Sequence, residues 1–164
     1  IMLIGVVSDT HNNIKNIKRI IDLFNKAQVE LVIHTGDISK AETLKVFSSL
    51  NCPLRGVFGN NDRNEEGLEE VCKENDFLFQ EPPLSLTLKN KKIAIFHEPD
   101  LIKDYIKEHQ DIDLILHGHT HRHKEETIDK TVHFNPGESA GSMEGKNAIG
   151  IVNLNNLEIK RVFF

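Results

Sequence analysis

The sequence predicts an α/β fold built as a layered sandwich with two groups of strands. In the first half of the chain, continuous apolar runs alternate with apolar residues at helical spacing. This βαβαβα order is typical of a parallel sheet that is covered on both faces. In the second half, short strand-like runs flank turn residues, as in antiparallel hairpins. Because the 164 residues contain no repeat and no linker, we expect a single domain over residues 1–164.

The first half contains three predicted strands, each followed by a predicted helix. The strands are the apolar runs MLIGVV, ELVIH and LRGVF at residues 2–7, 30–34 and 54–58. The helices are marked by Ile14, Ile17, Ile20, Ile21 and Phe24, by Ala41, Leu44 and Phe47, and by Leu68, Val71 and Cys72. Ser39 and Glu42 make a capping-box pattern, so we expect Ser39 to cap the second helix.

The second half is predicted to be rich in hairpins. Residues 85–88 and 92–96 form one hairpin, and residues 148–164 form another around adjacent asparagines. The run DLILH at 113–117 is a further buried strand. Pro99 precedes a helix that is marked by Leu101, Ile102, Tyr105 and Ile106.

Composition excludes several classes of protein. The net charge is -5 and no block of Lys or Arg occurs, which argues against a bulk nucleic-acid-binding surface. No apolar stretch approaches the roughly 20 residues that a membrane span needs. Cys52 and Cys72 lie far apart and form no metal or redox motif, as in reduced intracellular proteins. We therefore expect a cytoplasmic protein, with a monomer and a homo-oligomer both open.

Metal-ligand residue types follow the ends of five predicted strands. The segments are SDTH, HTGD, GNND, HE and HGHTH, which begin at residues 8, 34, 59, 97 and 117. In open α/β sheets, ligands bind beyond the carboxyl ends of the strands. The candidate ligands are Asp9, His11, Asp37, Asn60, His97, His119 and His121. Each is an ordinary turn or core residue when taken alone, whereas their joint occurrence at strand ends predicts one metal site.

This ligand set favours a pair of ions. Imidazoles and carboxylates without thiolates suit divalent Mn, Fe, Ni or Zn and disfavour a closed structural zinc site. Seven ligands are too many for one ion, but with one shared carboxylate they divide into two incomplete shells about 3.5–4 Å apart. The open positions would hold a bridging hydroxide and a phosphate. The histidines of HGHTHRH recur at period two, so a continued strand would place them on one face.

The ordered motifs Asp-x-His, Gly-Asp, Gly-Asn-x-Asp, a lone His and Gly-His-x-His resemble those of the calcineurin-like metallophosphoesterase superfamily. The series SDTH, GD, GNND, GHTH and NPGE resembles its small archaeal and bacterial phosphodiesterase branch, and the resemblance spans essentially the whole chain. It implies a four-layer αββα sandwich with two mixed β-sheets. It also implies metal-dependent hydrolysis of a small phosphodiester, with Mn²⁺ as the first choice and Ni²⁺, Fe²⁺ or Zn²⁺ open.

By position, the resemblance also implies the role of each candidate ligand. The first metal would be bound by Asp9, His11 and His121. The second metal would be bound by Asn60, His97 and His119. Asp37 would bridge both ions. A hydroxide held between the ions would then attack phosphorus in line, while the two cations neutralise charge on the phosphoryl oxygens.

The motif Gly-Asn-Asn-Asp departs from the pattern of many superfamily members at its third residue. Those members carry a histidine that gives a proton to the leaving group, whereas this chain carries Asn61. An amide has no proton to give near neutral pH, and proton donation typically contributes about 10²–10⁴-fold. Asn61 therefore predicts a preference for easily cleaved diesters over alkyl monoesters. Asp62 would normally orient that histidine; here it either orients a ligand imidazole or closes the turn.

The segment HEPD at residues 97–100 is a second departure, because relatives usually have His-Gly there. Glu98 either caps the helix that follows Pro99 or faces the pocket, where it would weaken dianionic monoesters more than diesters; we expect the cap. Arg63 is either a phosphate contact or, as we expect, a solvated loop residue. The Gly-rich residues 135–145 either line the pocket with backbone N–H groups or form plain turns.

The same residues raise two other possible functions. A catalytically weak metal-binding scaffold is an alternative, because the superfamily includes a retromer scaffold subunit and because Asn61 and Glu98 depart from the catalytic pattern. A nucleotide-binding Rossmann protein is excluded, since no Gly-x-Gly-x-x-Gly follows the first strand. Among the remaining histidines, we expect His34 and His117 to be buried and His123 to be solvated beside the site.

Overall fold

Two mixed β-sheets pack face to face, and helices cover the outer face of each, in the computed structural model of residues 1–164. The first six strands are β1 (Leu3–Val7), β2 (Leu31–His34), β3 (Leu54–Val57), β4 (Leu78–Gln80), β5 (Leu84–Leu88) and β6 (Lys91–Ile95). The others are β7 (Leu114–Leu116), β8 (Lys124–Ile128), β9 (Thr131–Asn135), β10 (Ala148–Asn153) and β11 (Glu158–Phe163). The helices are α1 (Ile14–Ala27), α2 (Ala41–Lys45), α3 (Leu68–Asn75) and α4 (Ile102–Glu108), with 3₁₀ turns at Val46–Ser49 and Pro99–Leu101.

The first sheet has the strand order β11-β10-β1-β2-β3-β4, and the second has the order β5-β6-β7-β9-β8. In the first sheet, β1 to β4 run parallel, whereas β10 and β11 pair antiparallel at its other end. In the second sheet, β6, β7 and β9 run parallel between the antiparallel edge strands β5 and β8. The carboxyl ends of the central parallel strands therefore lie side by side within each sheet.

Three hydrophobic clusters separate the four layers. Between the two sheets lies a cluster of 12 buried residues, which includes Ile33 from the first sheet and Phe134 from the second. A cluster of 16 residues, including Phe24 of α1, fills the space between the first sheet and helices α1 to α3. A smaller cluster joins Ile102 of α4 to Ile115 of the second sheet. The predicted αββα sandwich with two mixed sheets is confirmed.

The predicted cap of the second helix is wrong. Helix α2 begins at Ala41 with Lys40 in the cap position, and no side chain caps it. Ser39 instead lies in the left-handed region, with φ at 78°, and its backbone N–H donates to Asp62. The sequence pattern placed Ser39 on the helix because a capping box cannot be distinguished from a loop whose backbone is held by a distant carboxylate.

The sequence alone did not predict β4 or β8. β4 has only three residues at the edge of the first sheet, and every residue of β8 is exposed. The sequence of β8, KEETI, lacks the alternation of apolar and polar residues that marks a half-buried strand.

No helix of the chain combines the length and the apolar character that crossing a membrane requires.

Candidate metal centre

All seven predicted ligands lie on loops at the carboxyl ends of neighbouring parallel strands. Asp9, Asp37 and Asn60 follow β1, β2 and β3, which are adjacent in the first sheet. His97 follows β6, while His119 and His121 follow the adjacent strand β7 of the second sheet. Because the two sheets pack face to face, their loops meet at one edge of the sandwich. The side chains form two groups of potential metal ligands.

The first group contains Asp9, His11 and His121, whose ligand atoms lie within 4.8 Å of one another. The Nε2 atoms of His11 and His121 are 3.3 Å apart, and the two rings are stacked. The Nε2 atom of His121 is 3.6 Å from Oδ1 of Asp9. Donor atoms that bind one ion at about 2.1 Å are separated by about 3.0–3.4 Å, so these spacings are close to those of a coordination shell.

The second group contains Asp37, His97 and His119, and its ligand atoms also lie within 4.8 Å of one another. Nδ1 of His119 is 3.2 Å from Nε2 of His97. The Oδ1 atom of Asn60 lies 2.9 Å from Nε2 of His97 and 3.1 Å from Nδ1 of His119. Asn60 thus completes a second cluster of nitrogen and oxygen donors.

Asp37 lies between the two groups. Its Oδ2 atom is 3.4 Å from Nε2 of His97 and 4.0 Å from Nε2 of His11. Burial alone would raise the pKa of Asp37, but the neighbouring His97 imidazole and the hydrogen bonds from Asn61 hold that pKa below its usual value. The carboxylate is therefore ionised at neutral pH and faces both groups of donors.

Hydrogen bonds fix which nitrogen of two histidines faces each cluster. Nδ1 of His97 lies 2.9 Å from the carbonyl oxygen of Thr35, which can only accept, so His97 carries a proton on Nδ1. Nδ1 of His121 lies 2.7 Å from Oε2 of Glu138 and donates to that carboxylate. In neutral imidazoles these bonds leave the lone pair of each Nε2 pointing into the site.

Glu138 is a functional residue that the sequence did not reveal. It lies in the segment 135–145, whose backbone N–H groups serve internal turns rather than the pocket: Gly137 donates to Asn135, and Ala140 donates to Glu138. The alternative in which this segment forms plain turns is therefore the correct one. The segment contributes the Glu138 side chain to the site. The motif NPGE includes Glu138, but the motif alone does not predict its contact with His121.

The donors present fit divalent cations. Oδ1 of Asp9 is buried and has no hydrogen-bond partner, although Oδ2 accepts from the Ser8 hydroxyl and from the His119 N–H. An unpaired, buried carboxylate oxygen beside the lone pair of an imidazole is costly unless positive charge lies between them. Burial would lower the pKa of His97, yet the neighbouring Asp37 carboxylate raises it, so the second group also attracts positive charge.

The ligand loops have an unusual backbone conformation. Five of the seven predicted ligands have positive φ angles: Asp9 (52°), His11 (47°), Asp37 (63°), His119 (70°) and His121 (59°). This conformation is uncommon for residues other than glycine and clusters at functional sites. The strand does not continue through HGHTHRH: β7 ends at Leu116, and two left-handed residues, rather than a strand pleat, bring His119 and His121 to the site.

Two glycines of the motifs allow the loops to approach closely. A Cβ atom on Gly118 would overlap Oγ of Ser8 and lie 2.7 Å from Oδ2 of Asp9. A Cβ atom on Gly59 would overlap Oδ1 of Asp37. The glycines of Gly-His and Gly-Asn therefore leave room for the two carboxylates.

Asp62 closes and joins two loops instead of orienting an imidazole. The carboxylate is 3% exposed and accepts hydrogen bonds from three backbone N–H groups: Asp37 at 2.9 Å, Ser39 at 2.6 Å and Gly59 at 2.7 Å. Burial raises the pKa of Asp62 in spite of these bonds, and the nearby Asp37 charge adds to the increase. Of the two predicted roles for Asp62, the structure places it in the turn-closing one.

The side chain of Asn61 contacts Asp37. Its backbone N–H donates to Oδ1 of Asp37 at 2.9 Å, and its side-chain amide donates to Oδ2 at 2.9 Å.

The expectation that Glu98 caps a helix is wrong: Glu98 precedes the 3₁₀ turn but makes no cap hydrogen bond. Arg63 is an exposed loop residue, as expected, and it lies 3.6 Å from both Glu98 and Glu81.

The other histidines differ in how well they are bonded. His34 is buried, with Nδ1 accepting from the Gly36 N–H at 3.0 Å and Nε2 lying 3.0 Å from the Thr10 hydroxyl. Burial lowers the pKa of His34 to about 3. His117 is buried as predicted, but neither ring nitrogen has a hydrogen-bond partner. His123 is exposed, as expected.

The chain is similar in sequence and in structure to known phosphoesterases. Residues 2–157 match the calcineurin-like phosphoesterase superfamily domain. A phosphodiesterase of Methanocaldococcus jannaschii is 33% identical over 164 residues, which cover 98% of each chain. The solved structure of an archaeal phosphodiesterase superposes with a TM-score of 0.89 at 32% identity and covers 99% of this chain and 100% of that chain. Vps29 from Entamoeba histolytica, solved with zinc, has the same fold, with a TM-score of 0.70 at 18% identity over 99% of each chain.

The matched domain includes every loop that carries a predicted ligand, from Asp9 to His121, as well as Glu138. The two relatives with the higher identity cover nearly the whole chain in both directions. The chain therefore belongs to the calcineurin-like phosphoesterase superfamily, within its small archaeal and bacterial phosphodiesterase branch.

Proposed function

We propose that the protein is a divalent-metal-dependent phosphodiesterase with a dinuclear centre, and that residues 1–164 act as one metallophosphoesterase domain. The observation that carries this proposal is the pair of three-residue clusters with Asp37 between them. A single structural ion would need only one such cluster. The name of the Methanocaldococcus relative supports the choice of a diester substrate.

We assign the ligands by cluster. The first ion would be held by Asp9, His11 and His121. The second ion would be held by His97, His119 and Asn60. Asp37 would be shared, since its Oδ2 atom faces a histidine of each cluster. The absence of thiolates favours Mn²⁺, with Ni²⁺, Fe²⁺ and Zn²⁺ as alternatives.

When bound, such ions would supply an activated water as nucleophile and would neutralise charge on the phosphoryl oxygens. The residues of this chain would position that chemistry. Glu138 and the Thr35 carbonyl hold His121 and His97 so that their Nε2 lone pairs face the site. Asn61 holds the shared carboxylate of Asp37 in place through two hydrogen bonds.

The proposed preference is for diesters with good leaving groups. The Asn61 amide already donates to Asp37, and an amide cannot act as an acid near neutral pH. Protonation of a poor leaving group would therefore lack a side-chain donor at this position. Glu98 directly follows the candidate ligand His97 and is paired with Arg63 at 3.6 Å; if its carboxylate faced the bound substrate, it would disfavour dianionic monoesters.

Hydrolysis after removal and return of metal tests the proposal. Chelator-treated protein should hydrolyse bis(p-nitrophenyl) phosphate only after Mn²⁺ or Ni²⁺ is added, and p-nitrophenyl phosphate much more slowly. Asp37→Ala should lose both metal and activity, whereas Asp22→Ala, an exposed aspartate on α1, should keep both. Full activity of Asp37→Ala would contradict the proposed site.

The alternative is a catalytically weak metal-binding scaffold of the same fold. The observation that favours it is the engagement of Asn61 with Asp37 in place of a proton donor. A protein that binds two metal ions per chain, yet hydrolyses no phosphoester with any of Mn²⁺, Ni²⁺, Fe²⁺ or Zn²⁺, would support the scaffold over the enzyme.

A further inference from the structure

Strand β5 is an open edge of the second sheet. It pairs antiparallel with β6 on one side, and no strand of this chain pairs with its other side. The three residues 81–83 connect it to β4, which is an edge of the first sheet. The open edges of both sheets therefore lie on the same side of the sandwich.

The backbone groups of Ser85 and Thr87 point towards this open edge. In β6, the backbones of Lys92 and Phe96 form hydrogen bonds on the side of β7. Because alternate residues of a strand bond to opposite neighbours, residues 91, 93 and 95 bond to their partners in β5, which are Leu88, Leu86 and Leu84. The N–H and C=O groups of Ser85 and Thr87 thus have no partner within the sheet.

The leucine side chains of β5 are only partly covered. Leu84, Leu86 and Leu88 pack against the cluster between the two sheets but remain half-buried, whereas Ser85 and Thr87 are exposed on the opposite face. Beside them, an apolar groove of about 710 Å³ has a lining that includes Phe77, Leu78, Phe79, Leu84 and Leu86. The open edge therefore combines unpaired backbone groups with uncovered apolar surface.

The other three edge strands have features that oppose pairing between chains. β8 and β11 each contain three charged residues. β4 has only three residues. Charge and short length both discourage edge-to-edge pairing, whereas the five residues of β5, LSLTL, include neither a charge nor a proline. The edge at β5 is therefore the one that is open to a further strand.

The sequence of β5 is complementary to itself when two copies run antiparallel. With Leu86 of each copy on a two-fold axis, Leu84 lies opposite Leu88 of the other copy, and Ser85 lies opposite Thr87. Leucine then meets leucine on the inner face of the sheet, and hydroxyl meets hydroxyl on the outer face. The outward backbone groups of Ser85 and Thr87 match in this register, because the two opposed pairs exchange four N–H···O bonds.

The ends of β5 fix this register. Pro83 precedes the strand and the turn at residues 89–90 follows it, so a shift along the strand would pair fewer residues. In the centred register, Lys89 of each copy lies opposite Pro83 of the other, two residues from Glu81. The side chain of Glu81 is 61% exposed, although it lies 3.6 Å from Arg63. Opposite charges therefore approach each other at both ends of the pair.

We propose that β5 pairs with β5 of a second copy of this chain, so that a two-fold symmetric dimer joins the two five-stranded sheets into one continuous sheet. The occupant of the edge is a second copy because the strand matches itself residue by residue on both faces. No candidate metal ligand lies in β5, so the dimer does not depend on the proposed phosphodiesterase function.

Amide hydrogen exchange of the wild type tests the pairing without any substitution. The Ser85 and Thr87 amides should exchange slowly at high protein concentration and faster on dilution, because only the dimer bonds them. Thr127 of β8 is the matched control: its N–H also points to an open edge, and one residue separates it from a two-residue turn. The Thr127 amide should exchange fast throughout. Equally fast exchange of Ser85 and Thr87 at about 1 mM protein would overturn the inference.

Sedimentation equilibrium of two proline variants tests which edge forms the dimer. The wild type should show twice the mass of one chain. Thr87→Pro removes two of the four bonds between the copies and none within the chain, so it should raise the dissociation constant at least about tenfold. Thr127→Pro makes the same change in β8 and should leave the dimer unchanged.

Two results of the sedimentation experiment would contradict the proposed dimer. One is a wild type with the mass of a single chain up to about 1 mM. The other is a Thr87→Pro dimer as tight as that of Thr127→Pro. Circular dichroism reports whether each variant is folded, and if Thr87→Pro is not, the exchange of the wild-type amides decides the question.

Discussion

Replacing Asp62 by alanine should destabilise the protein by about 3–5 kcal/mol. The carboxylate accepts three backbone hydrogen bonds, at 2.9, 2.6 and 2.7 Å, from the loops that carry Asp37 and Asn60. A hydrogen bond to a charged group contributes about 1.5–3 kcal/mol, so three of them sum to about 4.5–9 kcal/mol. Part of this sum is offset, because burial and the charge of Asp37 raise the pKa of Asp62 and so oppose its ionised form.

Urea unfolding of the chelator-treated protein measures this loss of stability without contributions from metal binding. Asp62→Asn should fall between the wild type and Asp62→Ala, because the amide keeps one acceptor oxygen but turns an NH₂ group towards other N–H donors. Asp22→Ala is the matched control, since Asp22 is exposed on α1 and its loss should change the unfolding free energy by less than about 0.5 kcal/mol. A loss below about 1 kcal/mol for Asp62→Ala would refute the assignment of Asp62 as the residue that joins the two loops.

Three further predictions concern single side chains of the site. Glu138→Gln should weaken Mn²⁺ binding about 10–100-fold in a calorimetric titration, because the carboxylate orients His121; unchanged affinity would count against that role. Asn61→His should raise the rate on p-nitrophenyl phosphate relative to the diester, with Asn64→His in the same loop as control, and no rise would argue against a missing proton donor. Burial lowers the pKa of His34 to about 3, so between pH 6.5 and about 3 the unfolded chain gains a proton on His34 that the folded protein does not. Over this range the unfolding free energy of the wild type should therefore fall with decreasing pH more steeply than that of His34→Gln, by up to about 1.4 kcal/mol per pH unit. Parallel pH profiles of the two proteins would contradict this.

The clustering of the seven candidate ligands could be predicted because each of them follows the carboxyl end of a predicted strand. Asp9, Asp37 and Asn60 each follow a buried apolar run, and parallel neighbours end at the same edge of a sheet. The sandwich itself followed from the same alternation of strands and helices in the first half and from the hairpins of the second.

The long-range contacts of the residues that support the candidate ligands could not be predicted, because they join distant parts of the chain through specific backbone conformations. Glu138 reaches His121 across 17 positions, and Asp62 reaches the N–H of Asp37 across 25. Neither contact leaves a local spacing in the sequence. Ser39 was misplaced for the same reason, since a left-handed loop residue held by a carboxylate looks like a helix cap in the sequence.

Titration of chelator-treated protein with Mn²⁺, followed by electron paramagnetic resonance and by diester hydrolysis on the same samples, tests the dinuclear phosphodiesterase most directly. We predict two bound ions per chain, a spin-coupled signal that grows with the second equivalent because both ions would bind Asp37, and hydrolysis that rises with the coupled signal. Full hydrolysis with one isolated ion, or without any bound metal, would contradict the proposed centre.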